Sequence, residues 1–319
     1  MSKNENLLLV LAKKNDPQFA MLEGIPHVIG SEAAAFTEGA KSAAVILNWS
    51  GSRELLREVF LTCGNVRWVH SKSAGLDNQL FPELVESNVP LTNGRGVFSA
   101  SLGEFGLAAI LYFAKDFRRM LRNQMAGVWE PFDVEEITGQ TVGIVGYGDI
   151  GQAVASRVHA MGMHVLATKR HIPEPGDPLI EQFYKPDALR VMLARCDYVV
   201  VTAPLTEETR HMLGEAEFAA MKPSAVVINV GRGAVIDEAA MLHALTEKRI
   251  KGAGLDVFEQ EPLPAGHPFY RLENVLLSPH CADNTADWLD QAMRFFLEQY
   301  GRFEKGEPLK NMVNKQLGY

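Results

Sequence analysis

Three polar residues stand just after short apolar runs of the sequence, and their side chains could together carry out acid–base chemistry on an acidic substrate. They are Arg232, Glu261 and His280. Because ligands bind outside the carboxyl ends of parallel strands, we expect the three to meet at one edge of a sheet. Taken singly, each is explained as an ordinary loop or turn residue, and only their coincidence at one edge favours a joint role.

The chemistry of each side chain suggests its role. Arg232 can bind a carboxylate through two parallel hydrogen bonds, which a lysine cannot do. His280 is a proton donor or acceptor near neutral pH, and a nearby Glu261 would stabilise the imidazolium and raise its pKa. With a nicotinamide nearby, this set predicts hydride transfer to or from a carbon beside a carboxylate. The sequence contains no Ser-His-Asp arrangement and no metal-ligand spacing that would compete with this interpretation.

A glycine-rich turn provides a place for such a cofactor. The apolar run 141–145 leads into Gly146, Gly148 and Gly151, and a helical pattern and a second apolar run follow. Gly146 permits a tight turn, Gly148 leaves room for a pyrophosphate, and Gly151 lets the helix pack closely on the strand. A lone GxGxxG is weak evidence, but the order strand, turn, helix, strand predicts a dinucleotide site.

Short apolar runs alternate with helical patterns along the whole chain, which predicts an α/β fold with parallel sheets covered by helices. The 319 residues suffice for two domains. The composition loosens at 93–96, and Ser101 and Glu104 predict a capping box that opens a long apolar helix continuing to the basic residues at 118–122. We expect the domain crossing just before this helix, and the helix buried between layers or subunits.

Charge and cysteine content exclude some classes of function. The net charge of −8 argues against nucleic acid or an anionic membrane as the main partner. Cys63, Cys196 and Cys281 are odd in number, which predicts buried thiols in a reducing compartment. The apolar run 7–12 is too short for a signal peptide or a membrane span, so a cytoplasmic protein is expected.

Several motifs, in their order and spacing, resemble the signatures of the D-isomer-specific 2-hydroxyacid dehydrogenases over nearly the whole chain. They are 146–151, 229–233 with Asp237, 256–258 with Glu261 and Pro262, and 278–280 with Thr285. The resemblance implies two Rossmann-like domains, each a parallel sheet flanked by helices. It places an NAD(P)-binding domain at 101–287, inserted into a flavodoxin-like substrate domain at 1–100 and 288–319.

The resemblance also implies roles for individual residues. Arg232, Glu261 and His280 correspond to the catalytic residues, and Ala74 and Gly75 join Arg232 and His280 in binding the substrate. From spacing alone, the loop that carries Ala74 and Gly75 would be an ordinary turn. Together with the glycine-rich turn and the following strand end, the predicted cofactor-binding residues are Gly146, Gly148, Asp149, Ile150, Gly151, Thr168, Lys169, Arg170, Thr202, Ala203, Pro204, Val230, Gly231 and Asp256. No metal site is expected.

The end of the second strand of the cofactor domain predicts the choice of cofactor. NAD-using members usually carry an aspartate there, whereas this chain has Lys169 followed by Arg170. The missing aspartate would hold the ribose hydroxyls, and an arginine suits a phosphate instead. The sequence therefore predicts that this strand end binds a 2′-phosphate, and that NADP(H) is preferred to NAD(H). NADPH use is a feature of the glyoxylate and hydroxypyruvate reductases of this family. The leading hypothesis is therefore NADPH-dependent reduction of a small 2-keto acid to the D-2-hydroxy acid, with His280 as proton donor.

Two other interpretations stay open. One is an NAD-linked D-2-hydroxyacid dehydrogenase for a larger acid, and the other is a non-catalytic dinucleotide-binding regulator related to transcriptional co-repressors. The fold cannot decide between an enzyme and a regulator, although the complete set of three catalytic residues favours an enzyme. Members of the family are usually homodimers joined through the cofactor domain, and the helix beginning near Ser101 would suit that interface.

Overall fold

The computed structural model describes residues 6–12, 16–172 and 174–319. These residues form two compact units. Unit 1 comprises Met1–Phe98 and Ala286–Tyr319, as far as these are described, and unit 2 comprises Ser99–Thr285. The assignment of a substrate domain to 1–100 with 288–319 and of a cofactor domain to 101–287 remains a prediction.

The described residues contain twelve strands and nine α-helices. The strands are β1 (Leu7–Leu11), β2 (His27–Gly30), β3 (Ala43–Asn48), β4 (Trp68–Ser71), β5 (Leu91–Asn93), β6 (Thr141–Val145), β7 (His164–Thr168), β8 (Gln182–Tyr184), β9 (Tyr198–Val201), β10 (Val226–Asn229), β11 (Gly252–Leu255) and β12 (Val275–Leu277). The helices are α1 (Arg53–Thr62), α2 (Pro82–Glu86), α3 (Ser99–Ala114), α4 (Phe117–Ala126), α5 (Asp149–Ala160), α6 (Leu189–Leu193), α7 (Glu215–Ala220), α8 (Glu238–Thr246) and α9 (Trp288–Lys305).

Unit 1 is built on a five-stranded parallel sheet in the order β2-β1-β3-β4-β5. This is the flavodoxin-like strand order. All six residues of β3 are buried, as expected for a central strand of a sheet covered on both faces. The C-terminal helix α9 belongs to this unit, because the ring of Phe296 stacks on that of Trp68 with their centroids 5.5 Å apart.

Unit 2 is built on a seven-stranded parallel sheet in the order β12-β11-β10-β9-β6-β7-β8. The strand order reverses between β6 and β9, and such a switch point is where doubly wound sheets bind their ligands. Helix α3 packs on α5 at close range, because a Cβ added to Gly103 would lie 2.8 Å from the carbonyl oxygen of Ala153. The predicted fold class, parallel sheets flanked by helices in Rossmann-like units, is confirmed.

The long apolar helix differs from its prediction in two ways. It begins at Ser99, so Ser101 lies inside the first turn, and its hydroxyl donates to the carbonyl oxygen of Ala282 at 2.6 Å. The predicted capping box at Ser101 is therefore wrong. The helix also ends at Ala114, because Asp116 adopts a left-handed conformation (φ 49°) and caps a separate helix, α4, accepting a hydrogen bond from the Arg119 N–H. Aspartate tolerates this conformation better than most residues do.

Other details also differ from the sequence predictions. Strand β8 was not predicted, since its three residues are too few for a clear pattern. Of the three thiols, Cys196 is buried, Cys63 is partly buried and Cys281 is exposed, so the prediction of buried thiols is wrong for Cys281.

Within the residues that the structure describes, no helix is both long and apolar enough to cross a membrane.

Candidate active site

The glycine-rich turn joins β6 to α5 at the switch point of the sheet. Gly146 has φ 98°, and a Cβ added there would lie 2.7 Å from the backbone of Ala203. A Cβ added to Gly151 would lie 2.6 Å from the Gly146 carbonyl oxygen, whereas one added to Gly148 would meet nothing within 4 Å. Gly146 and Gly151 are thus required by packing, and Gly148 leaves open space at the N-terminus of α5.

This open space fits the phosphates of a dinucleotide. The backbone N–H groups of Ile150 and Gly151 have no acceptor among the residues that the structure describes, as is usual in the first turn of a helix. Asp149, the first residue of α5, is exposed beside them. Free N–H groups at a helix N-terminus, approached over a glycine without a side chain, form an anion site.

Thr168 ends β7 and holds the glycine-rich turn, and the two residues that follow it are basic. The hydroxyl of Thr168 is buried and accepts a hydrogen bond from the Gly146 N–H at 3.0 Å, so this side chain fixes the turn from within. The ammonium of Lys169 lies 5.5 Å from the ring centroid of Tyr147. The guanidinium of Arg170 contacts the carboxylate of Glu208 at 2.5 Å. Lys169 therefore lies beside the glycine-rich turn, and Arg170 already has an anionic neighbour.

The loop after β9 packs directly on the glycine-rich turn, and the loop after β10 packs on the loop after β9. The Thr202 hydroxyl donates to the Gly146 carbonyl oxygen at 2.5 Å. Ala203 and Val230 are buried, with Pro204 exposed after Ala203. Thr202 and Ala203 are thus neighbours of the turn. The cofactor contacts of all four residues remain a prediction.

The turn that carries Arg232 is held by a buried asparagine. The side-chain amide of Asn229 donates to the Arg232 carbonyl oxygen at 3.0 Å, and its oxygen accepts from the Gly231 N–H at 3.0 Å. The next residue, Gly233, lies against the loop that leads to Glu261, because an added Cβ would lie 1.9 Å from the Phe258 carbonyl carbon. The turn after β10 and the loop after β11 are therefore locked together.

His280 and Glu261, the predicted acid–base pair, contact each other. Nδ1 of His280 lies 2.6 Å from Oε2 of Glu261, and the other oxygen of Glu261 accepts a hydrogen bond from the Phe258 N–H at 2.9 Å. His280 itself adopts a left-handed conformation, with φ 52°. This conformation is unusual for a residue other than glycine, and such residues often lie at functional sites.

The pKa values of the pair move apart. The hydrogen bond to Glu261 raises the pKa of His280, while burial and the charge of Arg232 act in the opposite direction. Burial pushes the pKa of Glu261 upward, but the hydrogen bonds from His280 and Phe258 and the charges of His280 and Arg232 lower it overall. The raised pKa of His280 and the lowered pKa of Glu261 both favour an imidazolium beside a carboxylate. The charge of Arg232 acts on the pKa of each group.

Asp256 holds the turn on which His280 lies. Only 1% of this residue is exposed, and its Oδ1 accepts hydrogen bonds from the Ser278 hydroxyl at 2.5 Å, the Cys281 N–H at 3.0 Å and the Ala282 N–H at 3.1 Å. The cofactor contact expected of Asp256 remains a prediction. Its observed partners show that it positions His280, a role that depends on residues about twenty positions away and left no signal in the local sequence.

The predicted substrate loop lies in unit 1, after β4. The Asn93 side-chain amide donates to the Ala74 carbonyl oxygen at 2.6 Å, and the Gly94 N–H donates to the Ser73 carbonyl oxygen at 3.2 Å. The N–H groups of Ala74 and Gly75 have no acceptor in the described part of the chain. A rigid loop that presents such groups can bind an anion.

A doubly wound sheet with a glycine-rich turn at its switch point and an acid–base pair after a neighbouring strand defines a dinucleotide-dependent oxidoreductase. Residues 107–282 match the family model described as D-isomer specific 2-hydroxyacid dehydrogenase, NAD binding domain. Similar proteins include the glyoxylate reductase of Korarchaeum cryptofilum, 35% identical over 82% of this chain and 80% of the relative. The glyoxylate reductase of Thermococcus gammatolerans is 34% identical over the same shares.

Two solved structures of related proteins are also similar to this chain over nearly all of its length. A D-isomer specific 2-hydroxyacid dehydrogenase from Xanthobacter autotrophicus, in complex with NADPH and MES, is 30% identical, with a TM-score of 0.83 over 99% of this chain and all of that one. The NADPH-dependent glyoxylate/hydroxypyruvate reductase of Sinorhizobium meliloti, in complex with NADP and sulfate, is 26% identical, with a TM-score of 0.83 over 98% of this chain and all of that one. The chain belongs to the D-isomer specific 2-hydroxyacid dehydrogenase family. The predictions of this family and of an NAD(P)-dependent 2-hydroxyacid dehydrogenase are confirmed.

Proposed function

We propose that the protein reduces a small 2-keto acid of the glyoxylate or hydroxypyruvate type to the D-2-hydroxy acid, with NADPH as the preferred cofactor. The observation that carries the proposal is the 2.6 Å contact between His280 Nδ1 and Glu261 Oε2, with Arg232 close enough to act on both pKa values. The names of the glyoxylate reductases that resemble this chain support the substrate class.

Each residue then has a defined task. Arg232 binds the substrate carboxylate and polarises the adjacent carbonyl group, and the N–H groups of Ala74 and Gly75 are proposed as further donors to that carboxylate. When bound, the cofactor supplies the hydride. His280, whose Nδ1 faces Glu261, donates a proton from Nε2 to the carbonyl oxygen as it becomes a hydroxyl. Glu261 keeps the imidazolium charged until that transfer and holds the ring in one orientation.

The proposed preference for NADPH rests on the basic pair at the end of β7. Lys169 lies against Tyr147 of the glycine-rich turn and Arg170 follows it in the chain, and we propose that an anionic 2′-phosphate bound there meets both cations. One observation favours NAD(H) as the cofactor: the Glu208 carboxylate on Arg170 repels a phosphate. Because the side chain of Glu208 is 72% exposed, solvent screens this repulsion, and we retain NADPH as the preferred cofactor.

The apolar surface of unit 2 supports a homodimer formed through this unit. No residue of α4 is buried in the chain, and Leu121, Met125 and Trp129 are 57%, 90% and 96% exposed. Apolar side chains grouped on one exposed helix and the segment after it mark an interaction surface. We assign it to a second copy of the chain, because a two-fold axis allows the same surface to cover itself.

Steady-state kinetics test the proposed reaction. Oxidation of NADPH is followed with 2-keto acids from glyoxylate and hydroxypyruvate to phenylpyruvate, and the configuration of the product is determined by chiral chromatography. We expect the highest kcat/KM with the smallest acids and a D product. A preference for phenylpyruvate would favour the alternative enzyme, and cofactor binding without turnover of any acid would favour a regulator.

A further inference from the structure

The loop after β11, which carries Glu261, is tied to the first residue of helix α8. The Glu259 N–H donates to Oε1 of Glu238 at 2.6 Å, and the Glu238 N–H donates to Oε1 of Glu259 at 3.3 Å. Each of these two glutamates thus accepts a hydrogen bond from the backbone of the other. The start of α8 and the loop are therefore joined by a reciprocal pair of hydrogen bonds.

The peptide between Phe258 and Glu259 is also held by a close contact. A Cβ added to Gly233 would lie 1.9 Å from the Phe258 carbonyl carbon and 2.4 Å from the Glu259 nitrogen. Gly233 thus limits the movement of this peptide, while Glu238 fixes the direction of its N–H. The Phe258 N–H donates in turn to Oε1 of Glu261 at 2.9 Å. The side chain of Glu261 is therefore bound to the same short segment that Glu238 holds.

The carboxylate of Glu238 lies where its charge is not favoured by solvent. Its side chain is 20% exposed, and Oε2 lies 3.9 Å from Nε2 of His267. Burial raises the pKa of Glu238, and the charges of Glu259 and Glu261 act in the same direction. The hydrogen bond from the Glu259 N–H and the charge of His267 oppose this rise. The hydrogen bond to the loop thus helps to keep a half-buried carboxylate ionised at the start of α8, where the helix dipole favours an acid.

We propose that Glu238 is a positioning residue that keeps Glu261 aligned with His280. It acts through the backbone, because its carboxylate fixes the N–H of the segment to which the Glu261 side chain is bound. If this segment could turn, the contact of 2.6 Å between His280 Nδ1 and Glu261 Oε2 would lengthen. The role rests on the proposed reduction of 2-keto acids, in which this pair supplies the proton.

Three substitutions of Glu238 separate its reach from its charge. Glu238→Gln keeps an acceptor oxygen at the same distance from the backbone but removes the charge. Glu238→Asp keeps the charge but is one methylene shorter, so its oxygens no longer reach the Glu259 N–H. Glu238→Ala removes both properties. We expect Glu238→Gln to behave like wild type and Glu238→Asp to behave like Glu238→Ala, whereas a role of the charge alone predicts the reverse.

The pKa of His280 reports the alignment of the pair without any need for turnover. It is measured by NMR titration of the imidazole, whose signal is assigned as the one missing from His280→Ala. A displaced Glu261 stabilises the imidazolium less, so the pKa should fall toward its ordinary value of about 6.5 in Glu238→Asp and Glu238→Ala. In Glu238→Gln the pKa should stay raised.

Kinetics of glyoxylate reduction give the second measurement. Misplacing a catalytic group by about 1 Å lowers the rate by about 100-fold, so we expect kcat to fall by about 10–100-fold in Glu238→Asp and Glu238→Ala. The dissociation constant for NADPH should not change. Glu215→Ala is the matched control, because Glu215 is also the first residue of a helix, α7, and its carboxylate lies 2.7 Å from Nδ1 of His243. It should leave both the pKa of His280 and kcat at their wild-type values.

Two results would overturn the inference. If Glu238→Asp keeps the wild-type pKa of His280, the packing of Gly233 holds the loop without Glu238. If Glu238→Gln lowers that pKa as much as Glu238→Ala does, Glu238 acts by its charge and not by its hydrogen bond. Neither result affects the proposed function as long as wild type reduces glyoxylate.

The opposite failure is distinguishable as well. If wild type reduces no 2-keto acid, the proposed function fails, while the NMR titration still decides whether Glu238 aligns Glu261 with His280. Should circular dichroism show that Glu238→Ala does not fold, the comparison of Glu238→Asp with Glu238→Gln decides, since each keeps one of the two properties of the native side chain.

Discussion

At the scale of single residues, His280 and Glu261 depend on each other's charge. The hydrogen bond to Glu261 raises the pKa of His280 above its ordinary value of about 6.5. Reduction, which needs the imidazolium, should therefore stay active above that pH and decline as the pH rises through the raised pKa. The raised pKa of His280 also contributes to folding stability below the ordinary value, and this contribution is lost as the pH rises through the raised pKa.

The variant Glu261→Gln tests this coupling. An amide keeps the hydrogen bond but removes the charge, so the pKa of His280 should fall and the alkaline limb of kcat/KM should move to lower pH. The measurement is the pH profile for glyoxylate reduction in wild type and variant. Glu259→Gln changes a neighbouring carboxylate that contacts His211 and serves as the control. An unshifted profile in Glu261→Gln would show that the glutamate does not set the pKa of the acid.

The basic pair at the end of β7 gives a second prediction at this scale. Two charge-assisted contacts of roughly 1.5–3 kcal/mol each would favour NADPH by about 10²–10³-fold after allowance for partial exposure. Lys169→Asp combined with Arg170→Ala should move the ratio of kcat/KM for NADPH and NADH toward NADH. Arg271→Ala, at an exposed arginine before β12, the strand at the opposite edge of the sheet, is the control. Wild-type efficiency with NADH equal to that with NADPH would mean that the pair is only a solvated strand end.

At the scale of elements, the contact between the turn after β10 and the loop after β11 fixes the geometry of the site. Gly233→Ala would place a Cβ 1.9 Å from the carbonyl carbon of Phe258, so the loop that carries Glu261 must move. A displacement of catalytic groups by about 1 Å lowers the rate by about 100-fold. Overpacking lowers the free energy of unfolding by about 1–3 kcal/mol. We expect kcat/KM for glyoxylate to fall about 100-fold while the variant still unfolds cooperatively.

Gly64→Ala is the matched control, because a Cβ there meets nothing within 4 Å. Its kinetics should equal those of wild type. If Gly233→Ala also keeps wild-type kinetics, the two segments can separate without harm and their close packing does not organise the site.

Local patterns predicted most of the elements and the candidate catalytic residues, because glycine spacing, apolar runs and the residues after them are visible in a short window. They did not reveal the positioning residues. Asp256 and Asn229 act through hydrogen bonds that only the folded turns create. Glu208 meets Arg170 from 38 positions away. The helix break at Asp116 was missed because a left-handed aspartate has no periodic signal.

At the scale of the whole molecule, the exposed apolar surface of unit 2 predicts assembly. Wild type should sediment at twice the 35.2 kDa mass of one chain. Met125→Glu combined with Trp129→Glu would place charges in the proposed interface and should produce monomers, whereas Leu61→Glu, at an exposed leucine of unit 1, should not. Sedimentation velocity distinguishes the two states. A dimer that survives the double variant would place its interface elsewhere.

The most direct test of the proposed reaction is turnover of glyoxylate with NADPH by wild type and by His280→Ala, with NADPH affinity measured separately by fluorescence. Removal of a general acid typically lowers the rate by about 10²–10⁴-fold. We therefore expect kcat to fall by that factor while the dissociation constant for NADPH stays close to that of wild type. A His280→Ala enzyme that retains wild-type turnover and an unchanged pH profile would contradict the assignment of His280 as the proton donor.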